Sequence, residues 1–360
     1  MMFKCALIPL DGSRLSEVVL PYVERLAHAL NLEDVILLSI FHDGDTPQLR
    51  AAEEYLQGLA DSLKKAWGSA RLNVRVVAAR HSVGDTASVI LRFAEENGAD
   101  LIMMSTHGRS GFDRWLMGST TEKVLRGADI PVFLVRSKED EDVVVVPSLK
   151  RIMVPLDGSE LAEHALPVAA HVAEATSARV VLLRVKDPSE ELTKEDLHAY
   201  LSDVVRKLAE SGAVAEHRAR SGQPAEELLQ EVEEGIDLVV MSSHGRTGLA
   251  RWALGSVADK VLHGSPVPVL LVRSEIKAAA HGVAEGPLVH RCWNCGRRTY
   301  RESFSPDDRC GRCHYYLKDC RNCVHYRAEA CELGLPYVAD VDPGRRCPSF
   351  EFRETRVVLR

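Results

Sequence analysis

At 360 residues the chain exceeds one ordinary domain, so two or three are expected. A hydrophobic fraction of 46% with 27% charged residues describes a soluble globular protein, and a net charge of -7 excludes a molecule that is wholly an electrostatic nucleic-acid binder. No apolar run approaches the ~18 residues of a membrane span, and the N-terminus lacks a signal-peptide layout, so a cytoplasmic protein with no membrane association is expected.

The chain opens with Phe3-Lys4-Cys5-Ala6-Leu7-Ile8-Pro9-Leu10-Asp11-Gly12-Ser13, a short strand ending in a turn. Ser13 is placed to cap the next helix, whose apolar positions Val18, Val19, Tyr22, Val23, Leu26 and Leu30 recur at helical spacing. Further on, 35–41 and 74–79 read as strands, and 48–66 and 87–96 as helices. The apolar run 99–104 reads as a buried strand, followed by a helix at 120–126 and a last strand at 131–135. After an acidic break at 139–142 the order repeats: 151–159 matches the first strand and turn, 180–185 the second strand, 236–241 the buried run and 268–272 the last strand. Strands alternating with helices imply right-handed βαβ units and a parallel sheet covered on both faces, here in a duplicated domain.

Two loops stand out. Ser105-Thr106-His107-Gly108-Arg109-Ser110-Gly111, leading to Gly118-Ser119-Thr120, is repeated as Ser242-Ser243-His244-Gly245-Arg246-Thr247-Gly248, leading to Gly255-Ser256-Val257. Each follows a buried strand and feeds a helix. A glycine-bearing loop at a helix N-terminus turns unpaired backbone N–H groups toward an anion, which makes each loop a phosphate cradle. Arg109 and Arg246 suit anionic oxygens through their guanidinium forks, with plain solvent exposure as the alternative. His107 and His244 lack a partner acid or nucleophile at defined spacing and read as loop histidines. No Walker A or dinucleotide fingerprint occurs.

Pro9-Leu10-Asp11-Gly12-Ser13 and Pro155-Leu156-Asp157-Gly158-Ser159 carry a resemblance, together with Ser105-x-x-Gly108 and Ser242-x-x-Gly245, each followed after nine intervening residues by Gly-Ser. Each repeat resembles a universal stress protein domain, and the whole a tandem member of that family. The resemblance implies two five-stranded parallel-sheet domains of the adenine-nucleotide α-hydrolase-like type, at 1–137 and 150–274. It implies ATP, with or without magnesium, over the carboxyl ends of the strands. Asp11 and Asp157 would lie near ribose and adenine, Pro9 and Pro155 would be further nucleotide contacts, and the backbone of Ile40 and Val185 would pair with the adenine edge. Gly108, Arg109, Gly118, Ser119 and Thr120 would surround the phosphates in the first half. Gly245, Arg246, Gly255, Ser256 and Val257 would do so in the second. Ser105 and Ser242 stand where nucleotide-binding members carry the first glycine; their hydroxymethyl groups either crowd the ribose or hydrogen-bond it. Asp11 and Asp157 also read as turn residues, a role compatible with ligand contact. Similar proteins associate through the last strand. The strands at 131–135 and 268–272 would then pair within one chain or build a homodimer.

Beyond a linker at 277–286 the composition changes. Of nine cysteines, only Cys5 precedes residue 290. Cys292-x-x-Cys295 and Cys310-x-x-Cys313, separated by fourteen intervening residues, form a zinc-ribbon pattern over 290–316. Cys320, Cys323, Cys331 and Cys347 form a second, looser group over 318–350. Residues 287–360 are thus expected to be a small module held by two zinc ions, structural rather than catalytic. Its arginines and aromatics suit either a small core with a soluble surface or a contact face for a protein or nucleic acid. The sequence points to a nucleotide-dependent sensor or regulator and not an efficient enzyme, because the cradles supply phosphate donors but no evident base. The alternatives are an interaction scaffold without nucleotide and a nucleic-acid-binding regulator acting through the ribbon.

Overall fold

The computed structural model describes residues 3–42, 46–67, 72–81, 85–106, 117–136, 149–210, 212–243 and 254–273, and four short strands beyond residue 287. Two compact units, Met1–Ile276 and Lys277–Arg360, divide the chain.

In the first unit the apolar runs become strands β1 (Cys5–Pro9), β2 (Asp34–His42), β3 (Asn73–His81), β4 (Leu101–Ser105) and β5 (Val132–Val135). The second half gives β6 (Arg151–Leu156), β7 (Arg179–Lys186), β8 (Ala215–Ser221), β9 (Leu238–Ser242) and β10 (Val269–Val272). The helices are α1 (Arg14–Glu17), α2 (Leu20–Ala29), α3 (Thr46–Trp67), α4 (Thr86–Glu96) and α5 (Ser119–Gly127), then α6 (Glu160–Glu163), α7 (Leu166–Thr176), α8 (Lys194–Glu210), α9 (Pro224–Glu233) and α10 (Ser256–Gly264). The apolar side chains of β4, β5, β9 and β10 are all buried, as expected for strands covered on both faces. One core cluster joins alternate strand residues to α2, α3, α7 and α8; the other joins the opposite face to α4, α5, α9 and α10.

One element departs from the sequence pattern. The helix expected around Val18 to Leu30 is broken into α1 and α2, and α6 and α7 repeat the break. Pro21 and Pro167 sit at the first turn of the second piece in each case. Proline lacks the N–H and clashes with the carbonyl four residues back, so the helix must restart there.

All ten strands form a single sheet in the order β3-β2-β1-β4-β5-β10-β9-β6-β7-β8. Each half is parallel within itself, while β5 and β10 meet antiparallel, Phe133 opposite Leu270. The last strands therefore pair within the chain, and each satisfies the other's backbone. Arg273 reinforces the seam by donating from Nη1 to the Ala128 carbonyl at 2.7 Å. Within each half the strand order reverses direction between the first and fourth strands, β1 and β4 or β6 and β9. At such a switch point the loops leave in opposite directions and open a crevice beyond the carboxyl ends.

The second unit has β11 (Leu288–Arg291) paired antiparallel with β12 (Arg298–Arg301), and β13 (Tyr326–Arg327) paired with β14 (Ala330–Cys331). Cys331 lies in β14; Cys292, Cys295, Cys310, Cys313, Cys320, Cys323 and Cys347 lie outside the described residues.

Candidate functional site: a crevice at the second switch point

The turn after each first strand is built the same way in both halves. Gly12 and Gly158 adopt φ of 77° and 83°, the left-handed region that glycine enters freely. That bend lets Oδ1 of Asp11 accept from the backbone N–H of Ser13 at 2.9 Å, and Oδ1 of Asp157 accept from that of Ser159 at 3.0 Å. Ser13 and Ser159 in turn cap α1 and α6, accepting from the backbone N–H of Ser16 and Ala162. The aspartates thus hold the turn, as the turn reading expects, and Asp157 also faces the crevice.

The fourth strand of each half ends in a buried serine, Ser105 or Ser242. The following residue joins the cradle to the helix: Gly118 donates its N–H to the Thr106 carbonyl at 2.9 Å, and Gly255 to that of Ser243 at 3.0 Å. Thr121 adds a side-chain bond from Oγ1 to the Ser105 carbonyl. Gly118 and Gly255 are the N-caps of α5 and α10, and neither helix has a side-chain cap bond. The amides of these first turns therefore retain the positive end of a helix without a side-chain acceptor supplied by the cap.

In the second half these parts line an open cavity of about 350 Å³, within the size of small-molecule sites. Its walls are the ends of β6, β7 and β9 and the starts of α9 and α10. Of the expected contacts, Pro155, Asp157, Val185, Ser242, Gly255, Ser256 and Val257 all line it. In the first half Pro9, Asp11, Ile40, Ser105, Gly118, Ser119 and Thr120 occupy the equivalent ends of β1, β2 and β4 and the start of α5. Gly108, Arg109, Gly245 and Arg246 lie outside the described residues.

The cavity also contains residues that motif reading passed over. Arg184, only 4% exposed, lies on β7 and donates from Nη1 to the Val185 carbonyl at 2.7 Å. Its Nη2 donates to both carboxylate oxygens of Glu190, at 3.1 and 2.9 Å. Burial pushes the Glu190 carboxyl above its ordinary range, and the neighbouring Asp187 and Asp157 push the same way. The available signal was a lone charge inside an otherwise apolar strand, Val180-Val181-Leu182-Leu183-Arg184-Val185.

A family model described as the universal stress protein family matches residues 2–136 and again 148–273. The chain belongs to that family. A universal stress protein of Bacillus subtilis is 33% identical over 146 residues, covering 34% of this chain and 98% of that protein. One from Mycobacterium tuberculosis is 31% identical over 188 residues, 49% of this chain, and the match spans 63% of that protein's length. Among solved structures, a universal stress protein from Archaeoglobus fulgidus aligns with a TM-score of 0.60 at 23% identity, covering 76% of this chain and all of its own, a likeness of fold. Among the described residues no group of three or more His, Cys, Asp or Glu could hold a metal ion. Nor is any described helix long and apolar enough to cross a membrane.

Proposed function

We propose that this universal stress protein binds an adenine nucleotide, ATP, at the switch point of one or both halves and works as a cytoplasmic stress-response sensor or regulator. The observation that carries the reading is the cavity of about 350 Å³ walled by seven of the residues expected from the family motif. The fit is chemical as well as spatial. The α10 N-terminus, capped by a glycine without a side-chain bond, suits phosphate oxygens, while Asp157 suits ribose hydroxyls. Ser242 forms part of the wall and still leaves this volume, which favours its hydroxyl as a ribose partner over an obstruction. ATP would bring a triphosphate to the α10 end, where the chain's own residues orient it.

The C-terminal unit is read as a zinc-stabilised module that contacts a protein partner. Support comes from the β11–β12 register: Arg291 pairs with Arg298, so Cys292 and Cys295 fall in the link between two antiparallel strands.

One experiment addresses both parts. Native mass spectrometry and elemental analysis of untreated protein should find adenine nucleotide and two zinc ions per chain, and saturating ATP should raise the melting temperature. Protein with no bound nucleotide and no thermal shift would leave the scaffold reading, and absence of zinc would remove the metal module.

A further inference from the structure

The two halves differ at the carboxyl end of the second strand, which in the second half lines the cavity. In the second half Pro155 pairs with Leu183, and in the first Pro9 pairs with Leu38, so Arg184 stands where the first half has Ser39. Arg184 is buried and lines the cavity, which no ordinary packing requirement of a parallel strand explains. Its guanidinium occupies the Val185 carbonyl, the main-chain acceptor that the family resemblance assigns to the adenine edge. The same guanidinium grips Glu190. Glu190 reaches it because Asp187 folds the preceding segment: Oδ1 of Asp187 accepts from the Ser189 N–H at 2.9 Å, and its carbonyl accepts from the Glu190 N–H at 3.0 Å.

We propose that Glu190, clamped by Arg184, is the base-reading residue of the second cavity and selects a purine bearing a 6-amino group over a 6-oxo purine. The inference rests on that cavity holding a nucleotide. A carboxylate has about four lone-pair sites, so a grip by one guanidinium nitrogen does not prevent it accepting from a ligand amine. Asp157 and Asp187 line the same cavity, which makes this wall rich in acceptors. An amino group donates to such a wall. A 6-oxo group sets a carbonyl lone pair against the Glu190 carboxylate, whose side chain is 15% exposed, and two acceptors that meet without a proton between them repel. The Ser39 hydroxyl of the first half both donates and accepts, and makes no such choice.

The test uses the full chain. Photolabelling with 8-azido-ATP, read by peptide mapping within residues 150–274, is competed with unlabelled ATP and with ITP. ATP should compete better than ITP by about tenfold or more, the scale of one charge-assisted hydrogen bond. Glu190→Gln should bring that ratio close to one, since an amide rotates to offer donor or acceptor. ITP competing as well as ATP in the unaltered protein would overturn base selection while leaving nucleotide binding in place, and needs no variant to fold. A tenfold preference that survives Glu190→Gln would also overturn it. Absence of any labelling within 150–274 would defeat the nucleotide reading of this half itself.

Discussion

At the residue scale the duplicated Asp-Gly-Ser turn is both the most legible feature and the most exposed to single changes. Gly158 adopts a φ of 83°, and a Cβ added there would meet nothing within 4 Å. Any penalty of Gly158→Ala is therefore one of backbone conformation and not of collision. The left-handed region costs an L-residue about 1–2 kcal/mol, so Gly158→Ala should lower the unfolding free energy by about that amount in urea titration, and Gly158→Asn by less. An unchanged midpoint would mean the turn relaxes to another conformation. The motif residues of this turn and of the cradle were readable because their chemistry is local: glycine for a positive φ, serine for a cap. Arg184 and Glu190 were not. Their meaning depends on β7 being buried and on a bend at Asp187 that returns Glu190 to the strand, and neither follows from residue spacing.

Among elements, the apolar strands were legible, whereas β8 was not. Every residue of β8 but the last is half-buried, and its sequence Ala215-Glu216-His217-Arg218-Ala219-Arg220-Ser221 has no apolar run. It lies at the sheet margin, where one long edge meets no strand of this sheet and charge discourages pairing with other chains. What holds it to α9 is ionic. Arg218 and Arg220, two apart and so on one face, both bond Glu231, which is fully buried; Arg220 does so at 2.6 Å. Removing Glu231 takes away the one fully buried member that both arginines share, while Glu216, Glu227 and Glu234 still pair with them nearer the surface. Glu231→Ala should thus destabilise by about 2 kcal/mol in equilibrium denaturation, below the loss expected for a wholly uncompensated buried charge. Arg218→Ala should cost clearly less, because its side chain is 37% exposed and water screens it. Equal losses would show that α9 packing and not the ion cluster secures the strand.

For the whole molecule, the sequence supported two readings of the last strands, pairing within the chain or across a dimer, and only the assembled sheet separates them. Pairing of β5 with β10 turns two five-stranded halves into one ten-stranded sheet, and leaves β3 and β8 as its outer strands. The cores follow the sheet: one buried cluster contains Phe3, Tyr22 and Phe133 of the first half with Ile152, Val172 and Leu270 of the second. Duplication is visible as repeated motifs, but the merging of two cores is a property of long-range packing that no local pattern carries. Phe133 sits at the join. It is 1% exposed, lies opposite Leu270 and contacts the Tyr22 ring at a centroid distance of 5.7 Å. Phe133→Ala should cost about 3–5 kcal/mol through lost burial and the cavity left behind. Because the core is shared, that loss should appear in both halves together. Hydrogen exchange should report equal loss of protection at Val154 and Val181 of the second half and at Leu7 and Ile36 of the first. If only the first half loosens, the two halves are separate cooperative units that merely touch along β5 and β10.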